Sequence, residues 1–219
     1  MGGRPILERL LEQLRDVEQL EHVYVVTNAR FAERFREFAA RWQAPPELIV
    51  VDDGTTSDET KLGAIGDFDL VIREERVDDD VVVSAGDSVF SAPRLDEFVR
   101  FGSGRKAPVL AVREVDDVES LKRYSVVSTD DEARITAFEE KPKQPRSNLA
   151  GIALYFYPRS VLPLVRRYLD EGNNPDQPGR LVEWLYTRVP FYTWPVDGEW
   201  YDIGSKETLA AADRMFSQS

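Results

Sequence analysis

The stretch Val81-Val82-Val83-Ser84-Ala85-Gly86-Asp87 decides the fold class of this chain. A β-branched run closed by small residues is typical of a buried strand. Similar apolar strands alternate with amphipathic helical segments, which predicts a three-layer α/β/α domain of the Rossmann-like class. Open sheets of this class bind ligands at the carboxyl ends of their strands, where Asp87 lies, and the adjacent Gly86 lets a ligand approach the backbone. Asp87 is therefore a candidate functional carboxylate, with a turn residue that caps the next helix as the alternative.

The first half of the chain predicts alternating helices and strands. The hydrophobic periodicity gives helix 5–14, strand 22–27, helix 29–42 capped by Asn28, strand 48–51 and helix 61–74. Helices and strands that alternate in this way favour parallel strand pairing. We therefore expect a sheet with helices on both faces.

The second half is richer in strands. It predicts helix 95–101, strands 109–112, 125–128, 135–139 and 150–156, helices 161–169 and 181–188, strands 191–196 and 200–202, and a final helix 205–215. Consecutive strands make the sheet mixed, although mostly parallel. No repeat or linker interrupts the pattern, so we predict a single domain over residues 1–219.

Composition excludes several classes of function. The 219 residues include 42% hydrophobic ones and no cysteine, which suits a globular domain without disulfides or thiolate metal sites, with the cytoplasm as the default location. No apolar run is long enough to cross a membrane. A net charge of −12 argues against a general nucleic-acid binder. An anionic substrate would need a local cluster of cations or a metal ion.

Asp202 is a second candidate carboxylate. It follows a short aromatic strand and precedes Gly204 and a helix capped by Ser205. Alone it reads as a turn residue, with Gly204 supplying a positive φ. Together, Asp87 and Asp202 could hold Mg²⁺, which prefers one or two carboxylates and completes its shell with water and phosphate oxygens.

The run Glu139-Glu140-Lys141-Pro142 ends a strand that Pro142 cannot continue. Lys141 is a candidate ligand for a phosphate and Glu140 for a hydroxyl-bearing substrate. The alternative is a solvated run of charges at the sheet edge.

Two further segments have suggestive compositions but a simpler interpretation. Residues 102–106, Gly-Ser-Gly-Arg-Lys, have the composition of a phosphate loop but follow a helix and precede a strand, so we interpret them as a turn. The acidic run Asp78-Asp79-Asp80 before the central strand is interpreted as a solvated loop.

Taken together, these segments resemble the sugar-1-phosphate nucleotidylyltransferases, in particular their glucose-1-phosphate thymidylyltransferase-like branch. The resemblance spans nearly the whole chain. Its motifs are Gly3-Arg4-Pro5-Ile6-Leu7, Val25-Val26-Thr27-Asn28, Leu62-Gly63-Ala64, Ala85-Gly86-Asp87, Glu139-Glu140-Lys141-Pro142, Ser147-Asn148-Leu149-Ala150 and Trp200-Tyr201-Asp202-Ile203-Gly204. It implies a nucleotidyltransferase fold and a reaction in which a sugar-1-phosphate oxygen attacks the α-phosphorus of a nucleoside triphosphate. The products would be an NDP-sugar and pyrophosphate.

The resemblance also implies roles for individual residues. Asp87 and Asp202 would hold Mg²⁺ against the phosphates, and Lys141 would bind the sugar phosphate. The remaining substrate-binding candidates are Glu140 for the sugar hydroxyls, Gly63 beside the base, Asn148 in the sugar-phosphate region, and Gly86 and Ser125.

The chain departs from the family pattern at telling places. The sequence contains no Gly-x-Gly-Thr-Arg loop, and the strand that should precede it is also missing, so we expect an N-terminally incomplete domain with little or no turnover. An absent interior strand would leave unpaired edges, which favour a homo-oligomer or a closed-up sheet. Ser125 and Ala153 stand where the family has glycines, and the added Cβ atoms narrow the pocket. Two alternatives therefore stay open, a non-catalytic regulatory subunit that binds a sugar nucleotide and a cytidylyltransferase for a non-sugar phosphate such as phosphocholine.

Overall fold

The computed structural model describes residues 4–91 and 94–216, so Gly3 of the first family motif lies outside it. The first half contains α1 (Ile6–Leu14), β1 (His22–Thr27), α2 (Ala32–Arg41), β2 (Glu47–Asp52), α3 (Ala64–Glu74), β3 (Val81–Ser84), β4 (Ser88–Phe90) and α4 (Leu95–Arg105). The second half contains β5 (Val109–Glu114), α5 (Val118–Leu121), β6 (Ser125–Thr129), β7 (Ile135–Glu140), β8 (Leu149–Tyr157), α6 (Leu162–Asp170), α7 (Pro178–Leu185), β9 (Tyr192–Pro195), β10 (Trp200–Asp202) and α8 (Lys206–Phe216).

Strand β8 is the centre of a six-stranded sheet. One edge of β8 pairs with β5, and the opposite edge pairs with β6 near its start and with β3 near its end. These three pairings are antiparallel, β7 pairs antiparallel with β6, and β9 pairs parallel with β5. Hence β3, β5, β6 and β9 run in one direction, whereas β7 and β8 run in the other. The predicted mixed sheet is confirmed, and most of its strands share one direction. The pairs themselves are mainly antiparallel because the reversed strand β8 lies between the others.

Helices cover both faces of this sheet, as the three-layer prediction requires. Alternate side chains of β8 point to opposite sides. Tyr155 and Tyr157 belong to a core formed with α3, α6 and α7, whereas Leu154 and Phe156 belong to a second core formed with α4. The central sheet therefore separates two hydrophobic cores.

Strands β1 and β2 form a separate parallel pair, in which Val23 lies opposite Leu48. Within the described residues, β1 pairs only with β2, and β3 pairs only with β8. Val25 and Val82 are accordingly only half-buried, although β-branched runs of this kind are usual in sheet interiors. The described sheet has therefore not closed up, and one edge of each of these two strands remains unpaired.

Several element boundaries differ from the prediction. Helix α2 begins at Ala32, and the buried Oδ1 of Asn28 makes no hydrogen bond, so Asn28 is not its side-chain cap. The predicted turn at residues 102–106 is wrong because α4 continues through Arg105. The helix accommodates Gly102 in its interior because the glycine packs closely against the ring of Phe156, where a side chain would not fit. The start of α7 is earlier than predicted because Pro178 fits the first helical turn.

Candidate active site

Two short paired strands bring Asp87 and Asp202 together. Asp87 precedes β4 and Asp202 ends β10, and these strands pair antiparallel with Asp202 opposite Ser88. The N–H of Ile203 also donates to the carbonyl oxygen of Asp87 at 2.9 Å. The two carboxylates are therefore carried by neighbouring backbone segments.

Electrostatics shows that the side chains themselves interact. The pKa of Asp202 is raised, first by partial burial and then by the negative charge of Asp87. Lys141 and Arg123 act in the opposite direction and lower it. Asp202 thus lies within electrostatic range of the predicted partner carboxylate and of the predicted phosphate ligand. The structure brings together the three residues to which the sequence assigned the chemistry.

Lys141 reaches this place through a tight bend after β7. Its φ is +48°, and its N–H donates to the carbonyl oxygen of Tyr124 at 3.1 Å. The ring of Tyr124 packs edge-on against Trp200 of β10, with 5.0 Å between centroids. The β6–β7 pair and the β4–β10 pair are therefore fixed to each other beside the carboxylates.

Glu140 lies beside Ser125 and the start of α7. Ser125 lies opposite Glu140 in the β6–β7 register, and its hydroxyl donates to the Glu140 carboxylate at 2.5 Å. A Cβ added to Gly179 would overlap that carboxylate, with 1.9 Å to its Oε2. Only a glycine at position 179 leaves Glu140 where it is. Glu140 also lines an open cavity of about 430 Å³ together with Lys143, Arg146 and Glu183.

Gly63 has a structural role that the sequence did not indicate. Its φ is +82°, and an added Cβ would lie 2.6 Å from the carbonyl oxygen of Pro175. The N–H of Ile65 donates to the same carbonyl at 2.8 Å, and Lys61 forms an ion pair with Asp176 at 2.9 Å. Glycine is therefore required here for the packing of loop 173–177, and its contact with a base remains a prediction.

The two other candidates are exposed. No described atom lies within 4 Å of a Cβ built on Gly86, so the space beside Asp87 is open to a ligand. The backbone carbonyl of Asn148 accepts from the N–H of Val115 at 2.8 Å, and the side chain of Asn148 is exposed. Both positions are compatible with substrate contact, which stays a prediction.

Three residues at the site were not found from the sequence. Arg123 adds a second cation near Asp202, and Tyr124 lies close enough for Asp202 to raise its pKa, although burial is the larger cause. Gly179 allows Glu140 to approach α7. The only sequence signal for Arg123 and Tyr124 was their place immediately before Ser125, which was itself a candidate.

The carboxylate pair suits a divalent cation. Partial burial and mutual repulsion both disfavour two ionised carboxylates, and a bound cation offsets both effects. Among the described residues no group of three or more acidic, histidine or cysteine side chains could hold a metal. A site of only two carboxylates suits Mg²⁺, which keeps water and substrate phosphates in its remaining positions.

Comparison with known proteins identifies the family of the chain. The sequence pattern described as Nucleotidyl transferase matches residues 1–219. The chain belongs to the nucleotidyl transferase family. The family predicted from the sequence motifs is therefore confirmed.

Individual relatives agree with this membership. The chain is 22% identical over 214 residues to the bifunctional protein GlmU of Methanocaldococcus jannaschii, covering 98% of this chain and 47% of the relative. It is 31% identical over 140 residues to a glucose-1-phosphate adenylyltransferase of Clostridium acetobutylicum, covering 61% of this chain and 36% of the relative. The chain thus spans less than half the length of these relatives.

The fold comparison points the same way. A solved structure of apo UDP-glucose pyrophosphorylase superposes with a TM-score of 0.79 at 17% identity, covering 98% of this chain and 87% of that one. The nucleotidyl transferase fold predicted from the sequence is confirmed. Among the described residues no helix is long and apolar enough to span a membrane.

A half-buried carboxylate of α3, Asp67, gives a pH-dependent prediction. Burial, and then the charges of Asp53 and Asp176, raise the pKa of Asp67 to about 6, and its Oδ1 is buried without a hydrogen bond. A carboxyl group whose pKa is raised on folding lowers the free energy of unfolding when it must ionise in the folded state. This loss of stability is absent below the ordinary pKa of 3.8 and complete above the folded value. We expect Asp67→Asn to stabilise the fold by about 1–2 kcal/mol above pH 6, after allowance for solvent screening.

Urea unfolding at about pH 4 and about pH 7.5, which lie towards the two ends of this titration range, measures the change in stability. The gain should fall to a small fraction of its value at the lower pH, because Asp67 is then protonated in the folded state and only about half ionised in the unfolded state. Asp96→Asn is the control, because Asp96 is a half-buried carboxylate of α4 that pairs with Arg100. A gain from Asp67→Asn that is equal at both pH values would contradict the assignment.

Proposed function

We propose that this nucleotidyl transferase domain joins a nucleoside triphosphate to a sugar-1-phosphate, giving an NDP-sugar and pyrophosphate. The observation that carries the proposal is the convergence of Asp87, Asp202 and Lys141, seen in the causes of the Asp202 pKa shift. Two carboxylates and a cation in one place suit a reaction between two phosphates, which asks a protein mainly for positioning and charge neutralisation. Two of the proteins named above are a glucose-1-phosphate adenylyltransferase and a UDP-glucose pyrophosphorylase, and this supports a sugar phosphate as the substrate here.

Each side chain has a defined task in this proposal. Asp87 and Asp202 would hold Mg²⁺, which supplies Lewis-acid stabilisation of phosphate charge when it is bound. Lys141 binds the sugar phosphate as a point charge, and Arg123 adds a second cation on the same side. Glu140 faces the open cavity and binds sugar hydroxyls. Ser125 donates to Oε2 of Glu140, so sugar hydroxyls would share this oxygen with Ser125 or bind the other one.

Composition and strand pairing support proposals on the location and the partners of the domain. We propose a cytoplasmic domain without nucleic-acid substrates, because the chain has no cysteine and a net charge of −12. A homo-oligomer would be favoured by the unpaired edges of β1 and β3.

Calorimetry with NDP-sugars tests the proposal. UDP-, ADP- and dTDP-glucose are titrated into the 219-residue chain with Mg²⁺ and again with a chelator. We expect binding that needs the metal, because the ligand phosphates and the two carboxylates repel each other without it. Absence of binding by all sugar nucleotides in the presence of Mg²⁺ would refute the proposal.

Pyrophosphate release separates catalysis from binding alone. Ser125 and Ala153 stand where the family has glycines, and this departure motivates a non-catalytic regulatory subunit as the second candidate. A form extended at its N-terminus with a strand and a Gly-x-Gly-Thr-Arg loop should release pyrophosphate faster than the 219-residue chain if the domain is an enzyme. Tight NDP-sugar binding with no release by either form would favour the regulatory subunit. Release with phosphocholine and CTP, but with no sugar phosphate, would favour the cytidylyltransferase alternative.

A further inference from the structure

The two strands that carry the carboxylates form a small sheet of their own. Strands β4 and β10 pair with each other, whereas Glu140 and Lys141 lie at the end of β7 in the six-stranded sheet. Within the described residues no ladder of paired strands joins these two sheets. The proposed metal ligands and the proposed sugar-phosphate ligands therefore lie on separate sheets, and contacts other than strand pairing must fix the distance between them.

Tyr124 contacts both sheets. Its carbonyl oxygen accepts a hydrogen bond from the N–H of Lys141 at 3.1 Å, which holds the bend at the end of β7. Its ring packs edge-on against Trp200 of β10, with 5.0 Å between the ring centroids. One residue thus fixes the backbone of the proposed phosphate ligand through its main chain and reaches the carboxylate-bearing sheet through its side chain.

Trp200 makes the corresponding contacts on the carboxylate side. Side chains two residues apart in a strand point to the same face, so the indole lies on the same side of β10 as Asp202. Its Nε1 donates to the hydroxyl of Ser88 at 3.4 Å. Ser88 is buried, follows Asp87 and lies opposite Asp202 in the β4–β10 register. Trp200 therefore contacts the strands of both carboxylates.

Each ring is also held from behind by a different hydrophobic core. Trp200 packs against the core formed with α4, and Tyr124 packs against a small core of Leu121, Val126 and Ala150. Both rings are themselves only half-buried. The ring pair therefore connects two cores, and it lies at their edges, where a substitution leaves the main packing in place.

The charged groups of the site lie beside this ring pair. Burial raises the pKa of Tyr124, and the charge of Asp202 adds to the rise while Arg123 opposes it. Burial also raises the pKa of Asp202, whereas Lys141 lowers it. Asp202 is thus within electrostatic range of both Tyr124 and Lys141. The contact between the rings is therefore placed where it can set the spacing of the charges.

We propose that Tyr124 and Trp200 are positioning residues that set the distance between the metal carboxylates and Lys141. The inference rests on the proposed function, because it concerns a ligand whose phosphates contact both sheets at once. Neither ring needs to touch the reacting atoms. An aromatic pair is worth about twofold to tenfold in an equilibrium constant. Misplacement of cooperating groups by about 1 Å can cost about a hundredfold in rate.

Calorimetry with three ligands tests the proposal. The ligands are Mg²⁺ alone, glucose-1-phosphate with a chelator, and UDP-, ADP- or dTDP-glucose with Mg²⁺. Tyr124→Leu removes the ring but keeps the main chain that holds Lys141. We expect it to weaken NDP-sugar binding by about tenfold, because only this ligand must contact both sheets. The other two affinities should stay within about twofold, whereas loss of a merely structural residue would weaken all three.

Two further variants test whether the ring contact itself is responsible. Tyr124→Phe keeps the ring and loses only the hydroxyl, so it should restore the NDP-sugar affinity that Tyr124→Leu loses. Trp200→Leu should reproduce the loss seen with Tyr124→Leu. The double variant should bind about as well as Trp200→Leu alone, because both substitutions remove the same contact.

Trp194→Leu is the matched control, because Trp194 of β9 makes a similar ring contact with Phe101, at 5.1 Å. It should leave all three affinities unchanged, and circular dichroism checks the fold of each variant. The proposal is overturned if Tyr124→Leu binds the NDP-sugar normally, if it also weakens glucose-1-phosphate binding, if Tyr124→Phe loses as much affinity, or if the losses of the two leucine variants add. The proposed function survives each of these results, since the unmodified chain still binds the NDP-sugar. Absence of that binding overturns both.

Discussion

Replacing Asp87 with Asn should lower Mg²⁺-dependent NDP-sugar binding, and pyrophosphate release by any active form, by roughly a hundredfold or more. The loss corresponds to several kcal/mol of charge stabilisation that a metal supplies to phosphates. Asp202→Asn should have a comparable effect, because Asp87 and Asp202 interact and the cation needs both. Calorimetry with and without Mg²⁺ measures the change for each variant.

The same substitution should act in the opposite direction on the metal-free protein. Asp87 raises the pKa of Asp202, so its charge opposes ionisation of the partner at neutral pH. Asp87→Asn removes this repulsion and should leave the metal-free domain as stable as before, or slightly more stable, in urea. Loss of ligand binding without loss of stability distinguishes a metal ligand from a residue that merely supports the fold.

Asp96→Asn serves again as the control for a surface carboxylate, since Asp96 pairs with Arg100 on the outer side of α4. It should bind Mg²⁺ and sugar nucleotide like the unmodified chain. If Asp87→Asn binds both as well as the control does, the two carboxylates do not hold the metal.

The strands that could be predicted are those formed by consecutive apolar residues. Residues 81–83 are three valines and residues 150–156 are an apolar run that ends in Leu-Tyr-Phe, and both segments form strands of the central sheet. Strand β4, by contrast, was missed. It has only three residues, and its pairing with β10 depends on a segment far away in the sequence. Short strands held by remote partners carry little local signal.

The candidate site shows the same division. The pairing of Asp87 with Asp202 was expected from the family motifs, and the structure brings the two together. Gly179 could not be found in this way. Position 179 must be a glycine because a side chain there would overlap Glu140, which lies on another element. Nothing in the local sequence indicates this contact. Close approaches between elements become visible only once the chain is folded.

The glycine-rich segment of α4 illustrates how packing overrides local preference. Two glycines within four residues favour a turn, since each costs about 1 kcal/mol in a helix relative to alanine. The helix nevertheless continues because Gly102 lies against the ring of Phe156, a contact that no other residue permits. Tertiary contact therefore determines the helix end here.

That contact predicts a large loss of stability when Gly102 is replaced. A Cβ on Gly102 would lie 2.3 Å from the Phe156 ring, which is buried in the core between α4 and β8. We expect Gly102→Ala to destabilise the fold by about 1–3 kcal/mol, because overpacking outweighs the gain in helix propensity. Urea unfolding measures the difference.

Gly104→Ala is the matched control, because it makes the same substitution two residues further along the helix. No described atom lies within 4 Å of its added Cβ, so only the helix propensity changes. We expect a gain of about 0.5 kcal/mol, since alanine loses less backbone entropy than glycine on folding. The two variants should thus shift the midpoint of unfolding in opposite directions. Equal stability of the two variants would mean that α4 does not pack on β8 through Gly102.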